Sequence, residues 1–157
     1  MMPRLNPLEA APDAIEAVQA LAAYVARCGL EPELLELIKM RASQMNGCAF
    51  CLDMHSREAR TRGESEQRLY LLNSWREAPL YSARERTPLA WIEALTRVAE
   101  THAPDDVYAE LSEHFSAAEI VKLSTAIAAI NAWNRLAIGF RTVPAGAAKH
   151  PQVQTAP

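Results

Sequence analysis

The sequence is short of cysteine and of net charge, and each shortage closes off a class of protein. Three cysteines in 157 residues are too few to staple a secreted disulfide scaffold, and the odd count leaves at least one thiol unpaired within the chain. Sixteen basic residues stand against nineteen acidic ones, a formal net charge of -3. With no basic block among them, there is no electrostatic footprint for nucleic acid. No apolar run approaches the roughly 20 residues that cross a bilayer. Met1 to Pro12, punctuated by Pro3, Pro7 and Pro12, lacks the apolar stretch of a secretory or transit segment. A cytoplasmic protein with neither nucleic acid nor membrane as partner is the expectation. Also missing is clean apolar/polar alternation bounded by turn residues, so no β-strand is predicted.

What is present is helix-forming material: half the residues are hydrophobic, and alanine, leucine, glutamate and arginine dominate. The length suits one compact domain. Ile15, Val18, Leu21, Ala22 and Val25 place one apolar face on a helix from about Asp13 to Arg27, with Gly29 after its end. Leu34, Leu35, Ile38, Ala42 and Met45 do the same for a helix from Pro32 to Met45, closed by the turn dipeptide Asn46-Gly47. A third helix is predicted from about Cys48 to Arg62 and a short one around Leu69, Leu72 and Trp75. A fifth runs to about Glu100, starting either at a Ser82/Glu85 capping box or at Thr87 before Pro88. Asp105 to Phe115 makes a sixth. Ser116 and Glu119 form a capping box for the last and longest, to about Phe140. Its two adjacent apolar stripes demand burial over a wide arc, in a bundle centre or a subunit interface. Residues 1–12 thus read as an N-terminal extension, 13–141 as one helical domain, and 142–157, rich in Pro, Gly, Ala and Gln, as a disordered tail.

The chemistry concentrates at Gly47-Cys48-Ala49-Phe50-Cys51-Leu52-Asp53-Met54-His55. Residues three and four apart share a helix face, so Cys48, Cys51 and His55 form a sulfur, sulfur, imidazole row. A thiol in the first turn after a glycine meets unpaired N–H groups and the positive end of the helix dipole, which favour the thiolate. If the second and third helices form an antiparallel hairpin turning at Asn46-Gly47, Glu36 and His55 sit level to within roughly 3 Å at ~1.5 Å rise per residue. The inferred relay has Glu36 orienting His55, and His55 drawing the proton from Cys51 and returning it to a leaving oxygen. Cys28, with no partner at useful spacing, reads as structural. Asn131, Asn134 and Arg135 read as hydrogen-bonding residues, Trp75, Trp91 and Trp133 as core or interface aromatics, and His102, His114 and His150 as exposed.

Glu36, Cys48 twelve residues on, Cys51 and His55, together with Glu85-Arg86, Trp91 to Leu95 and Asn131 to Arg135, resemble the AhpD-type alkylhydroperoxidases of the carboxymuconolactone decarboxylase superfamily. The resemblance runs from about Glu31 to Arg141. It implies an all-α fold, an AhpD-like helical bundle of about six or seven helices, assembling as homotrimers or homohexamers. It also implies a thiol-dependent peroxidase with no bound metal or organic cofactor. Cys51 would attack the peroxide and Cys48 would resolve the sulfenic acid as a disulfide. An external dithiol of dihydrolipoamide, thioredoxin or glutaredoxin type would then reduce it. Phe50 stands where the peroxidase branch carries a histidine, which removes one relay member and makes the site more apolar. Three rival readings of the same residues are a disulfide oxidoreductase, a non-catalytic redox-sensing helical module, and a zinc module with Cys48, Cys51, His55 and Glu36 as ligands.

Overall fold

The computed structural model describes residues 2–145, and all regular structure among them is helical. The elements are α1 (Pro7–Ala10), α2 (Pro12–Ala26), α3 (Pro32–Asn46), α4 (Ala49–Thr61), α5 (Glu66–Leu71), α6 (Ala83–Thr96), α7 (Val98–Thr101), α8 (Asp105–Ser112) and α9 (Ala117–Phe140). A 3₁₀ turn, Leu72–Ser74, follows α5 directly. The helix total exceeds the six or seven expected because α1 and α7 are single turns without a buried residue of their own. Such short elements carry no apolar periodicity to read. The α1 turn lies inside the N-terminal extension, where Asn6 caps it through a bond from the Leu8 amide. From residue 146 on, the tail expectation lies outside the described residues. Among those described, no helix is long and apolar enough to cross a membrane.

Local chemistry explains where the long helices begin. For α6 the capping box prevails over Thr87-Pro88: the Ser82 amide donates to Glu85 Oε2 at 2.8 Å, and Pro88 is carried inside the helix. The same reciprocal cap opens α9, with the Ser116 amide donating to Glu119 Oε2 at 2.8 Å. Along α9, Ile120, Leu123, Ile127, Ile130, Asn134 and Ala137 are all buried. The neighbouring stripe of Ala126 and Ala129 is buried too, while Trp133 is partly exposed.

α3 is the organising helix, packing on α4, α6 and α9, while α2 lies along α9. One side of α3 gives Leu34, Leu35, Ile38 and Ala42 to a core shared with α2, α6 and α9. Its other side gives Leu37 and Met40 to a second core with Leu69, Leu72, Trp75 and Leu89. Between them a small third cluster joins Cys48 and Cys51 to Ala137 of α9, with Phe50 against it. Cys28 is buried in the first core and unpaired, matching its structural reading.

Candidate active site

The site is built at the α3–α4 turn. Gly47 ends α3 at φ +69°, a left-handed conformation in which a side chain is strained even though open space surrounds the position. The chain reverses there, and the Cys48 amide donates to the Ser43 carbonyl at 3.0 Å. A ladder of amides fastens the reversal to α9. Asn46 Nδ2 donates to Asn131 Oδ1 at 2.9 Å and to Asn134 Oδ1 at 2.8 Å, and Asn134 Nδ2 donates to Ser43 Oγ at 3.1 Å. Asn131 and Asn134 thus find the partners that burial demands. Arg135 bonds Asn131 from the surface side.

Cys48 is the N-cap of α4 and not a first-turn residue: its backbone is extended and its Sγ accepts from the Cys51 amide at 3.4 Å. The sulfur therefore stands in for the oxygen of a usual cap and faces an otherwise unpaired helix N–H. Cys48 and Cys51 are joined as a disulfide across a Cα separation of 5.4 Å, and each is only 1% exposed.

One turn on, His55 is buried, and its Nδ1 lies 3.1 Å from Glu36 Oε2, the contact expected from their level heights on the hairpin. Glu36 is itself 3% exposed, and Lys39 donates to its Oε1 at 2.9 Å. Arg41 turns away to Glu93. Burial pushes the Glu36 carboxyl up, but hydrogen bonds from His55 and Lys39 and their charges outweigh it, so the group is held below the usual glutamate value.

Glu58 was not legible as a site residue until the fold placed it. Its Oε2 lies 2.9 Å from the same His55 Nδ1. The available signal was its spacing: three beyond His55 and seven beyond Cys51, it continues the row by one turn. Two carboxylates facing one ring nitrogen require that nitrogen to carry the proton, which fixes Nε2 as the free acceptor and donor of the ring. Glu36, His55 and Glu58 also form the one cluster of potential cation ligands among the described residues, their atoms lying within 4.8 Å of one another. The Lys39 ammonium already supplies positive charge to it.

Cys51 and His55 open onto a cavity of about 370 Å³. Phe50 and Met54 of α4, Ala22 and Val25 of α2, and Ala129 and Trp133 of α9 form much of its wall, and its polar lining is Lys39, His55 and Glu58. The sequence marked Phe50 as an apolar replacement, and the structure gives it the cavity wall. His102 is exposed and His114 partly so, and His150 lies outside the described residues. Trp75 and Trp91 are buried.

Residues 12–94 match the profile of the Carboxymuconolactone decarboxylase family. The uncharacterized protein YdfG of Bacillus subtilis (strain 168) is 39% identical over 140 residues, which cover 89% of this chain and 95% of that one. The crystal structure of ATU0492 from Agrobacterium tumefaciens, a protein of unknown function named as an antioxidant defence protein AhpD, superposes with a TM-score of 0.90. It is 52% identical and covers 91% of this chain and 98% of its own. The debrominase Bmp8 shares the fold at 19% identity and a TM-score of 0.77, over 90% of this chain and 76% of that one.

Proposed function

Because the chain belongs to the carboxymuconolactone decarboxylase family, we propose that it is a thiol-dependent peroxidase in which Cys51 attacks, Cys48 resolves, and Glu36 and His55 relay the proton. The observation that carries this reading is a cavity lined both by Cys51 of a vicinal cysteine pair and by His55, whose Nδ1 lies against the buried Glu36 carboxylate. A cysteine pair alone would serve many roles. A histidine whose Nδ1 proton is held by carboxylates, one turn from Cys51, supplies the base that a thiol needs and the acid that a departing alkoxide needs.

The reaction begins with the reduced pair. His55 Nε2 takes the Cys51 proton, and the thiolate attacks one oxygen of a hydroperoxide. The S–O bond forms as the O–O bond breaks, and His55 returns the proton to the departing oxygen, giving an alcohol and a Cys51 sulfenic acid. Cys48 sulfur then attacks the Cys51 sulfur, the S–S bond forms, and the hydroxyl leaves with the Cys48 proton as water. An external dithiol, of dihydrolipoamide, thioredoxin or glutaredoxin type, regenerates the pair by exchange and leaves as its own disulfide. A homotrimer or homohexamer in the cytoplasm is the assembly and location this reading carries.

Peroxide consumption under excess dithiol tests it. Cys51→Ser abolishes turnover, whereas Cys48→Ser, assayed with the dithiol omitted, consumes one equivalent of peroxide and leaves a sulfenic acid that dimedone traps. Undiminished consumption by Cys51→Ser excludes the assignment.

A further inference from the structure

The Glu36 charge reaches His55 already opposed by a cation. Its Oε1 accepts from the Lys39 ammonium at 2.9 Å while its Oε2 lies 3.1 Å from His55 Nδ1, so the lysine offsets much of the field that the carboxylate sets up at the ring. A carboxylate in such a pair can orient an imidazole through its hydrogen bond. It does far less to stabilise positive charge there.

Glu58 is placed differently. Its Oε2 lies 2.9 Å from the same Nδ1 and its side chain is half-exposed. Arg57 and Arg62 border the outer groove that Glu58 also lines, but Arg57 is engaged by Asp53 and Arg60 by Glu66. Among the described residues no lysine or arginine forms an ion pair with Glu58. The remaining titratable group of the cavity wall is Cys51, and the packed faces of α2 and α9 contribute none. Three charged groups therefore face His55, and the negative charge left over after Glu36 and Lys39 are paired is that of Glu58.

That leftover charge matters when Cys51 loses its proton. Transfer to His55 Nε2 turns a neutral thiol and imidazole into a thiolate and an imidazolium, and an apolar cavity offers little water to stabilise the separated charges. We propose that Glu58 is the counter-ion of this imidazolium, a positioning residue that keeps Cys51 in its reactive thiolate form by acting through His55. The inference rests on the Cys51 and His55 partnership of the peroxidase reading and adds to it a residue whose charge, and not its hydrogen bond, is what counts.

The test uses reduced Cys48→Ser protein, in which serine retains the cap of α4 and Cys51 is the one thiol on the cavity wall. Alkylation of Cys51 by iodoacetamide, an uncharged reagent, is followed by mass spectrometry. Adding Glu58→Gln keeps a hydrogen-bond acceptor and removes the charge, and it lowers the alkylation rate about tenfold or more at neutral pH. Glu58→Asp keeps the charge and stays within about threefold of the parent. In alkaline buffer, where the thiol ionises unaided, all three proteins converge, whereas a merely structural defect would persist at every pH. An undiminished rate in Glu58→Gln overturns the inference. So does a deficit that survives in alkaline buffer, one that the aspartate variant shares in full, or a parent Cys51 that iodoacetamide does not alkylate at neutral pH. Oxidation of the same proteins by hydrogen peroxide and cumene hydroperoxide judges the peroxidase reading separately. A Cys51 that is alkylated but that neither peroxide oxidises overturns that reading, while the alkylation rates still decide the role of Glu58.

Discussion

Two carboxylates meet one nitrogen of His55, and their surroundings divide the roles between them. Glu36 is buried and tied to Lys39, whereas the Glu58 side chain is 46% exposed. Glu36 therefore sets the imidazole's orientation from a fixed position, and Glu58 closes the solvent side. The hairpin arithmetic found Glu36 because both helices are regular and the turn is marked by Asn46-Gly47. It did not find Glu58 as a participant, because an i,i+3 neighbour can point to solvent as readily as to a partner and only the packing of α9 and α2 decides. Because the Glu36 carboxyl is held below its ordinary value of 4.5, its contribution to stability is fully present above that value and is lost as pH falls through the lower folded one. Glu36→Gln is expected to lower unfolding stability by on the order of 1 to 3 kcal/mol at pH 7. The gap from wild type narrows in urea titrations at progressively lower pH below about 4.5. A gap independent of pH would argue that the carboxylate charge is not what holds His55. His55→Ala removes the proposed proton carrier, and stopped-flow measurement of thiol oxidation is expected to show the first step slowed about 100-fold or more.

The helices supply the frame on which those side chains converge. α3 presents Glu36 and Lys39, α4 presents Cys51, His55 and Glu58, and α9 pins their junction through Asn131 and Asn134. The identity of these elements was largely legible in apolar spacing and capping residues: Ser82 with Glu85 and Ser116 with Glu119 mark two helix starts. The start of α4 was less so, since a cysteine in the cap position resembles a cysteine one residue inside it. The asparagines in α9 announced that partners were needed but not which ones, because Asn46 and Ser43 lie more than 80 residues away. Asn134, with none of its surface exposed, is the keystone of that ladder. Asn134→Ala strips partners from Asn46 and Ser43, and the expected loss is about 1 to 3 kcal/mol. Chemical denaturation followed by far-ultraviolet circular dichroism measures it. Stability unchanged within about 0.5 kcal/mol would mean that water replaces the amide without penalty.

At the scale of the whole molecule, an all-helical bundle places Cys51 of a vicinal cysteine pair on the wall of an apolar cavity, with no strand among the described residues to present it. Fold class could be read from what the chain lacks, strand alternation above all. The cavity could not, because its lining comes from four helices whose mutual tilt no single stretch of sequence specifies. Three cysteines, few enough to exclude a stapled fold, divide in the structure into a joined pair and the buried, unpaired Cys28. That division makes Cys28 an internal standard for the central claim, that peroxide oxidises Cys48 and Cys51 together and reversibly. Mass spectrometry after denaturing alkylation measures this directly. The reduced protein takes up three alkyl groups, the peroxide-treated protein takes up one, at Cys28, and dithiothreitol restores all three. Three alkylated cysteines after peroxide, or a disulfide that includes Cys28, would contradict it.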